Sequence, residues 1–218
     1  MKVTWIGHSC FLLASGGSNL LTDPYDAGSY PGNLLYHQVD LSPDFVTVSH
    51  GHADHAGVRF LGGSPHVFDT PGEFEAGPFH IRGVATHHDS AGGSQRGGNI
   101  VFVIEAGGVT VAHLGDLGHK LAPHQAAAVG SVDVLLIPVG GFFTIDAATA
   151  TEIWQQLGPP PLTIPMHYRN EKCRFDIDPV DPFLEKKPAV ERPGASEISL
   201  KKENFPAKPK IVVLDPAY

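Results

Sequence analysis

Short apolar runs separated by glycine-rich loops occupy most of this sequence. Most of the 25 glycines lie between the runs, where glycine supplies turns, and Gly107-Gly108 predicts a hairpin. The runs have the length and composition of β-strands, and they are Val3–Ile6, Cys10–Ala14, Asn19–Thr22, Phe45–Ser49, Phe79–Thr86, Ile100–Glu105, Val109–His113, Val132–Pro138, Leu162–Ile164 and Ile211–Leu214. The chain is therefore predicted to be built mainly from β-sheet.

Helices are predicted at fewer places. Pro123–Val129 begins with proline, and Ile145–Leu157 has helical apolar spacing and is stopped by Gly158 and the prolines after it. A third helix is expected after His55. The length of 218 residues fits a single α/β domain, 1–218, with sheet layers covered by helices. We expect a core over about 1–170 and an irregular C-terminal extension over about 171–218, packed on the domain and ending in a strand.

Charge and composition narrow the function. Residues 1–167 carry 14 acidic and 5 basic side chains, whereas 168–218 carry 9 and 10. Nonspecific nucleic-acid binding needs a basic surface, so a small-molecule partner is favoured over nucleic acid. No apolar run is long enough for a membrane helix, and the first residues alternate like a strand rather than a signal peptide. Two cysteines, Cys10 and Cys173, make no disulfide framework, which favours the reducing cytoplasm.

A cluster of metal-competent side chains follows one strand directly. The buried pattern Phe45–Val48 runs into Ser49-His50-Gly51-His52-Ala53-Asp54-His55, which places four such side chains within six residues. They can converge on one point if the chain turns there, and the small residues at 51 and 53 make a turn feasible. Imidazole together with carboxylate suits zinc or a neighbouring first-row metal. This segment therefore predicts a metal site.

Three further strand ends carry the same side-chain types. Thr86-His87-His88-Asp89, Gly115-Asp116-Leu117-Gly118 and Pro165-Met166-His167-Tyr168 each follow a predicted strand. Ligands grouped at one edge of a sheet are typical of a metal cleft on a layered α/β fold. Spacing alone does not decide between His87 and His88.

The segments SHGHADH, THHD, HLGDLGH and PMHY resemble those of the metallo-β-lactamase superfamily, with its four-layer αββα fold. The opening VTWIGHSCFLL resembles the branch of small hydrolases related to ascorbate-6-phosphate lactonase. The resemblance covers about residues 1–170 and implies two metal sites, with Asp116 shared between them. One would take His50, His52 and a THHD histidine, for which the resemblance favours His88, and the other would take Asp54, His55 and His167.

This resemblance implies a hydrolase with two zinc ions, although Mn²⁺, Fe²⁺ or Ni²⁺ suit the same ligands. A water bridging two cations loses a proton near neutral pH, which supplies a hydroxide nucleophile. Asp54, His8 and His113 are the candidate catalytic residues. His8 could donate to a substrate oxyanion, support a ligand or be a buried structural histidine, whereas His113 and His119 could orient a ligand.

Several other residues have either a functional role in the site or a purely structural one. Asp23 is either an acid that supports the site or a turn cap. Arg96 and Asn99 lie just beyond the THHD loop and are the candidate substrate-binding residues, with Arg96 as the anion contact. The remaining histidines have no motif around them and are assigned to surface or core, namely His37, His66, His80 and His124.

The predicted substrate is a small ester, lactone or phosphate-containing metabolite. One alternative is a nuclease or phosphodiesterase of the same superfamily, which the acidic body disfavours. Another is a non-hydrolytic metal-binding protein, which the complete ligand set disfavours. The sequence also leaves a homo-oligomer open.

Overall fold

A computed structural model describes residues 1–187 and 189–218. Residue 188, in the predicted extension, lies outside the described residues. Numbered in chain order, the strands are β1 (Lys2–Gly7), β2 (Cys10–Ser15), β3 (Ser18–Thr22), β4 (Phe45–Thr47), β5 (His66–Phe68), β6 (Gly72–Ala76), β7 (Phe79–His87), β8 (Gly98–Ala106), β9 (Val109–His113), β10 (Val134–Pro138), β11 (Leu162–Met166), β12 (Val190–Glu191), β13 (Glu197–Ser199) and β14 (Lys210–Val212). The helices are α1 (Pro123–Val129), α2 (Ala147–Gln156) and α3 (Asp181–Leu184).

The strands of the described residues form two mixed sheets. The first sheet has the order β13-β1-β2-β3-β4-β5, in which β1 to β3 are antiparallel and β3 to β5 are parallel. The second has the order β12-β14-β11-β10-β9-β8-β7-β6. Its strands β9, β10, β11 and β14 are parallel, and β6 to β9 are antiparallel. The carboxyl ends of the parallel strands are therefore available as one edge for functional loops.

The main core lies between the two sheets. Trp5 and Phe11 of the first sheet share one buried cluster with Phe102 and Ile104 of the second. Side chains of opposite orientation on the first sheet, such as Cys10, form a second cluster with residues from loops. Alternating side chains of one strand thus serve two apolar layers, which is the period-2 pattern of a sheet that is covered on both faces.

Helices cover mainly the second sheet. α1 packs against β7, and α2 contacts α3. The outer face of the first sheet packs against loop residues that lie between β3 and β4 and after β11, including Tyr25, Tyr36 and Phe175. The two-sheet core agrees with the predicted sandwich, and the layer over the first sheet is made of irregular chain.

Three expectations need correction. After His55 the chain forms only a single 3₁₀ turn, Val58–Phe60, because glycines at 57, 62 and 63 leave too few residues to nucleate a helix. The second predicted helix starts two residues later, at Ala147, where the Asp146 side chain caps it by accepting from Thr149 N at 2.8 Å. Strands β5 and β6 were not predicted.

The C-terminal extension is also more regular than expected. Instead of only packing over the domain, it adds β13 beside β1 in the first sheet and β12 and β14 to the second. β14 overlaps the predicted last strand, Ile211–Leu214. β12 and β13, with two and three residues, are too short for a periodicity signal. No helix in residues 1–187 and 189–218 has both the length and the apolar character of a membrane span.

Candidate metal centre

Four strand ends bring the candidate ligands together. His50 follows β4 of the first sheet, whereas His88, Asp116 and His167 follow β7, β9 and β11 of the second. The site therefore lies where loops of both sheets meet. The segment after β4 closes on itself, since His55 N and Ala56 N both donate to His52 O at 2.9 Å, and this turn gathers its side chains.

Two groups of metal-competent side chains form in the described residues, joined by a third group, Asp23, His50 and His55, that shares one histidine with each. One consists of His50, His52 and His88. The other consists of His8, Asp54, His55 and His167, all of them buried. Within each group, one ligand atom per residue lies within 4.8 Å of the others. The seven residues singled out from the sequence as metal ligands are thus brought to one place, with Asp116 between the two groups.

Asp116 links these groups. Its Oδ2 atom lies 3.2 Å from His55 Nε2 and 3.3 Å from His167 Nε2 in one group. The same oxygen lies 3.4 Å from His88 Nε2 and 3.9 Å from His50 Nε2 in the other. One carboxylate oxygen therefore faces imidazole nitrogens from both sides.

Several polar atoms of this cluster are buried without a hydrogen-bond partner among the described residues. They are Asp54 Oδ1, His55 Nε2, His88 Nδ1, Asp116 Oδ1 and His167 Nδ1. Buried polar groups without a partner are costly and uncommon in folded proteins. Their concentration around one carboxylate, together with their nitrogen and oxygen chemistry, fits a group of metal ligands.

Asp23 supports the cluster from the first sheet. Its Oδ2 atom accepts from His55 Nδ1 at 2.8 Å and from Ser49 Oγ at 2.6 Å, while Oδ1 accepts from Ser49 N at 2.8 Å. A carboxylate on one ring nitrogen fixes the tautomer and orientation of the imidazole and leaves the other nitrogen free for a metal. Of the two readings left open for Asp23, the structure favours the supporting acid.

Backbone strain is concentrated around the same cluster. His8, Asp23 and His167 have φ values of 51°, 40° and 50°, in the left-handed region that side chains other than glycine seldom adopt. Such conformations persist where the surrounding structure over-determines them, and they cluster at functional sites.

Asn99 was expected to bind substrate, and the structure contradicts this. The residue is buried, its Nδ2 group donates to Thr86 Oγ1 at 2.8 Å and to Leu114 O at 3.0 Å, and its Oδ1 accepts from Asp116 N at 2.9 Å. Both amide donors are used, so Asn99 positions the Asp116 loop. Gly115, at φ 55°, fits tightly here, because an added Cβ would lie 2.4 Å from Asn99 Oδ1.

His113 was also expected among the catalytic residues, and the structure corrects this. It is fully buried, with Nε2 at 2.8 Å from Ser9 O and Nδ1 accepting from Gly115 N at 3.2 Å. Both ring nitrogens are therefore used, and His113 acts as a support of the Asp116 loop.

His8 remains beside the cluster. Its Nε2 atom lies 3.3 Å from Asp54 Oδ2, and its ring packs on His167 with centroids 4.2 Å apart. The side chain is buried, and it belongs to the same group of metal-competent side chains as Asp54, His55 and His167.

Burial and neighbouring charges set the protonation of the cluster. Burial, reinforced by His55, lowers the pKa of His50 to about 3, and burial with His167 lowers the pKa of His8 to about 4. For Asp116, burial acts to raise the pKa, but His167 and His55 outweigh it and hold that pKa well below its usual value. The ligands thus tend toward the deprotonated forms that a metal requires. His55 is the exception, because Asp116 and Asp54 outweigh its burial and raise its pKa.

The THHD loop separates its two histidines. His88 is buried in the ligand group, whereas His87 is half-buried outside it and its ring lies beside His119. His87 N donates to His119 Nε2 at 3.1 Å, so His119 fastens this strand end and does not reach the cluster. Gly118 passes so close that a Cβ there would lie 2.3 Å from Asp89 N.

Asp89 organises the loop that follows, a role that sequence reasoning missed. Its carboxylate accepts from the backbone N–H groups of Ala91, Gly93, Gln95 and Arg96 at 2.7–3.0 Å. These bonds, led by that from Arg96, lower the pKa of Asp89 to about 2. The available signal was an acidic residue ahead of a Ser- and Gly-rich segment, which is the pattern of a side chain that caps a turn.

A cavity of about 250 Å³ opens onto the cluster. Five members of the cluster line it, namely His52, Asp54, His88, Asp116 and His167. The other four lining residues are Tyr30, Arg96, Phe143 and Phe175. Arg96, the candidate anion contact, therefore lines this cavity. The aromatic members were not predicted, because they come from loops whose path the sequence pattern does not fix. Exposed His37, His66 and His124 and half-buried His80 lie outside the lining.

Residues 2–167 match the family model described as "Beta-lactamase superfamily domain". The chain belongs to this superfamily. The matched range covers the strand ends that carry all seven candidate ligands.

Relatives of this β-lactamase superfamily member agree with the assignment. It is 31% identical over 206 residues to a "UPF0173 metal-dependent hydrolase" of Thermoplasma volcanium, covering 84% of this chain and 88% of that one. A protein of the same name from Desulforamulus reducens is 30% identical over 228 residues, covering 92% and 96%.

A solved structure extends the match. A Thermotoga maritima protein, described as a candidate Zn-dependent hydrolase of the metallo-β-lactamase superfamily, superposes with a TM-score of 0.80 at 38% identity. The match covers 98% of this chain and 97% of the Thermotoga maritima chain. The predicted superfamily, the sandwich fold and the enzyme class of metal-dependent hydrolase are confirmed by these matches. The finer resemblance to ascorbate-6-phosphate lactonase stays a prediction.

Proposed function

We propose that this chain binds two divalent metal ions, with zinc as the first choice, and hydrolyses an ester, lactone or phosphate bond of a small metabolite. One ion would be held by three histidines, His50, His52 and His88. The other would be held by Asp54, His55 and His167. Asp116 would be shared between the two ions. The same nitrogen and oxygen donors accept Mn²⁺, Fe²⁺ or Ni²⁺.

The observation that carries the proposal is the position of Asp116 Oδ2. This single oxygen lies 3.2–3.9 Å from histidines of both groups. Two cations placed near it would give a partner to His55 Nε2 and to the unpaired oxygens of Asp54 and Asp116 and neutralise a cluster that holds two carboxylates. The Asp23–His55 contact supports the same interpretation, because it leaves His55 Nε2 facing the cluster.

Bound cations supply the hydrolytic chemistry, since they acidify water and polarise a substrate oxygen. The protein's own contribution is to orient the ligands and to hold a proton nearby. Asp54 Oδ2 and His8 Nε2 are 3.3 Å apart, so a proton taken up at this pair would be shared beside the reacting atoms. We therefore retain Asp54 and His8 as candidate catalytic groups.

The alternatives are less well supported. A nuclease would have to hold a polyanion against an acidic surface. A non-hydrolytic metal protein would not require a cavity that joins the ligands to Arg96. A small substrate with one anionic group fits these features best, because a guanidinium can fork onto a carboxylate or phosphate.

Metal content is the decisive measurement. Elemental analysis after incubation with zinc or manganese should give two ions per chain, and less than about half an equivalent would contradict the proposal. Asp54→Ala and His167→Ala should each lose mainly one ion and abolish hydrolysis with the fold retained, whereas His37→Ala, an exposed histidine outside the site, should match the wild type. A screen of lactones, phosphodiesters and thioesters on the loaded protein then identifies the bond class.

Two further expectations accompany this function. We infer a reducing location, the cytoplasm, which is supported by Cys10 and Cys173 being free, buried thiols. Fractionation of the source cells tests it. Light scattering on the eluting peak of a sizing column tests the homo-oligomer that the sequence leaves open.

A further inference from the structure

Three aromatic rings form one wall of the cavity. Tyr30 and Phe143 each meet the ring of Phe175 edge to face, with centroids 5.2 Å and 5.8 Å apart. All three residues line the cavity that also contains Asp116. None of these rings is among the proposed metal ligands. Tyr30 also interacts with Asp54 through its side chain, whereas Phe143 and Phe175 have no role in the hydrolytic chemistry described above.

A single cation lies next to this wall. The Arg96 guanidinium stands over the Phe143 ring, with its central carbon 5.6 Å from the centroid. Among residues 1–187 and 189–218, the ion pairs of arginine are made by Arg59 and Arg192, so the charge of Arg96 is not matched there by a carboxylate. The backbone of the residue is fixed through Asp89. The cavity therefore offers a flat apolar surface and an unmatched positive charge side by side.

The volume is sufficient for a small ring. A dry cavity of about 150 Å³ is large enough to hold benzene, and this cavity measures about 250 Å³. It can therefore take one six-membered ring with a few further heavy atoms. A saturated ring of similar size would fit the volume, but it lacks the π-system that edge-to-face and stacked contacts use.

We propose that the substrate of this site carries a flat aromatic or unsaturated ring bearing one anionic group, with the ring against Tyr30, Phe143 and Phe175 and the anion on Arg96. This inference rests on the proposed hydrolytic function and specifies its substrate class. An aromatic contact contributes about 0.5–1.5 kcal/mol beyond its buried area. That contribution corresponds to about a 2- to 12-fold preference over a saturated ring of equal charge.

The test measures binding of three small probes to the metal-loaded protein by calorimetry. Benzoate has the ring and the charge, cyclohexanecarboxylate has the charge without the flat ring, and benzamide has the ring without the charge. Benzoate is expected to bind more tightly than either. Because both carboxylates can also contact the metals, their ratio isolates the effect of the ring. Equal binding of the two carboxylates, or no benzoate binding at millimolar concentration, would overturn the proposal.

Substitutions locate the effect. Phe143→Leu and, as a second variant, Tyr30→Leu should reduce the preference for benzoate over cyclohexanecarboxylate toward unity. Arg96→Gln should reduce the preference for benzoate over benzamide. The matched control is Phe142→Leu, since Phe142 is the neighbouring ring but is 67% exposed and outside the cavity lining. A loss of preference in Phe142→Leu as large as that in Phe143→Leu would overturn the assignment of the wall.

The inference and the proposed function fail in different ways. A protein that binds two metals and hydrolyses aliphatic esters without preferring benzoate keeps its proposed function and contradicts the aromatic substrate. A protein that prefers benzoate but takes up no metal supports the wall and contradicts the metal centre.

Discussion

Replacement of Asp23 by asparagine isolates the role of one buried charge. Asparagine has nearly the same shape and tolerates the left-handed backbone that Asp23 adopts, at φ 40°. Its Oδ1 can still accept from Ser49 N, and Ser49 Oγ can accept a hydrogen bond instead of donating one. In the wild type, His55 Nδ1 donates to Asp23 Oδ2. In the variant, the amide NH₂ group of asparagine would take the place of Oδ2. Because that group is a donor, it would face another donor at His55 Nδ1.

The consequence for metal binding follows from the tautomer of His55. To accept from the new amide, Nδ1 must lose its proton, and the neutral ring then carries its proton on Nε2, the atom 3.2 Å from Asp116 Oδ2. A protonated Nε2 cannot ligate a metal. Loss of such a supporting carboxylate typically lowers metal affinity 10–100-fold, which is about 1.4–2.8 kcal/mol.

Competition with a chromophoric zinc chelator measures this affinity directly. The matched control is Asp133→Asn, since Asp133 is also a buried aspartate that accepts a backbone N–H, from Thr110 at 3.0 Å, but lies at the start of β10 away from the cluster. Asp23→Asn should weaken zinc binding at the second group while Asp133→Asn leaves it unchanged. Equal affinity in Asp23→Asn and wild type, or an equal loss in both variants, would refute the reasoning.

Three further predictions concern the same site. His88→Ala should remove about one metal equivalent while His87→Ala keeps both, and a greater loss from His87→Ala in elemental analysis would reverse the assignment. Arg96→Ala should raise KM for an anionic substrate more than for a neutral analogue of the same ester, and an equal rise for both would exclude Arg96 as the anion contact. In the metal-free protein, burial lowers the pKa of His8 to about 4 and that of His50 to about 3. In the unfolded chain both histidines have the usual pKa of about 6.5. Below that pH, the unfolded chain therefore binds more protons than the folded protein. The free energy of unfolding should therefore fall as the pH drops from about 6.5 to about 4. Urea midpoints that do not change over this range would contradict this expectation.

The sequence predicted the clustering of the candidate ligands because their signal is local. His50, His52, Asp54 and His55 lie within six residues after a strand, and the other ligands also follow strands whose apolar pattern is plain. Parallel strands deliver the residues after them to one edge of the sheet. The strands with long apolar runs were found for the same reason, whereas two-residue β12 has no periodicity to read.

The errors concern residues whose role depends on the path of a loop. Asn99 and His113 stand next to ligand-bearing segments in sequence, but their side chains turn toward Thr86, Leu114 and Ser9. No one-dimensional pattern tells a side chain that touches substrate from one that holds up a neighbouring loop. The aromatic wall was missed for a related reason, since Tyr30, Phe143 and Phe175 come from three separate irregular segments.

The Asp89 carboxylate has a consequence for how this enzyme can diversify. Four backbone N–H groups between residues 91 and 96 are tied to one side chain, so the shape of this loop depends on Asp89 and its glycines rather than on the side chains the loop displays. The side chains of Ser94 and Gln95 make no part of this bonding, and exchange of the Arg96 side chain leaves its backbone bond to Asp89, seven residues earlier, in place. Substrate preference can thus drift by replacement of displayed residues while the ligand set stays unchanged.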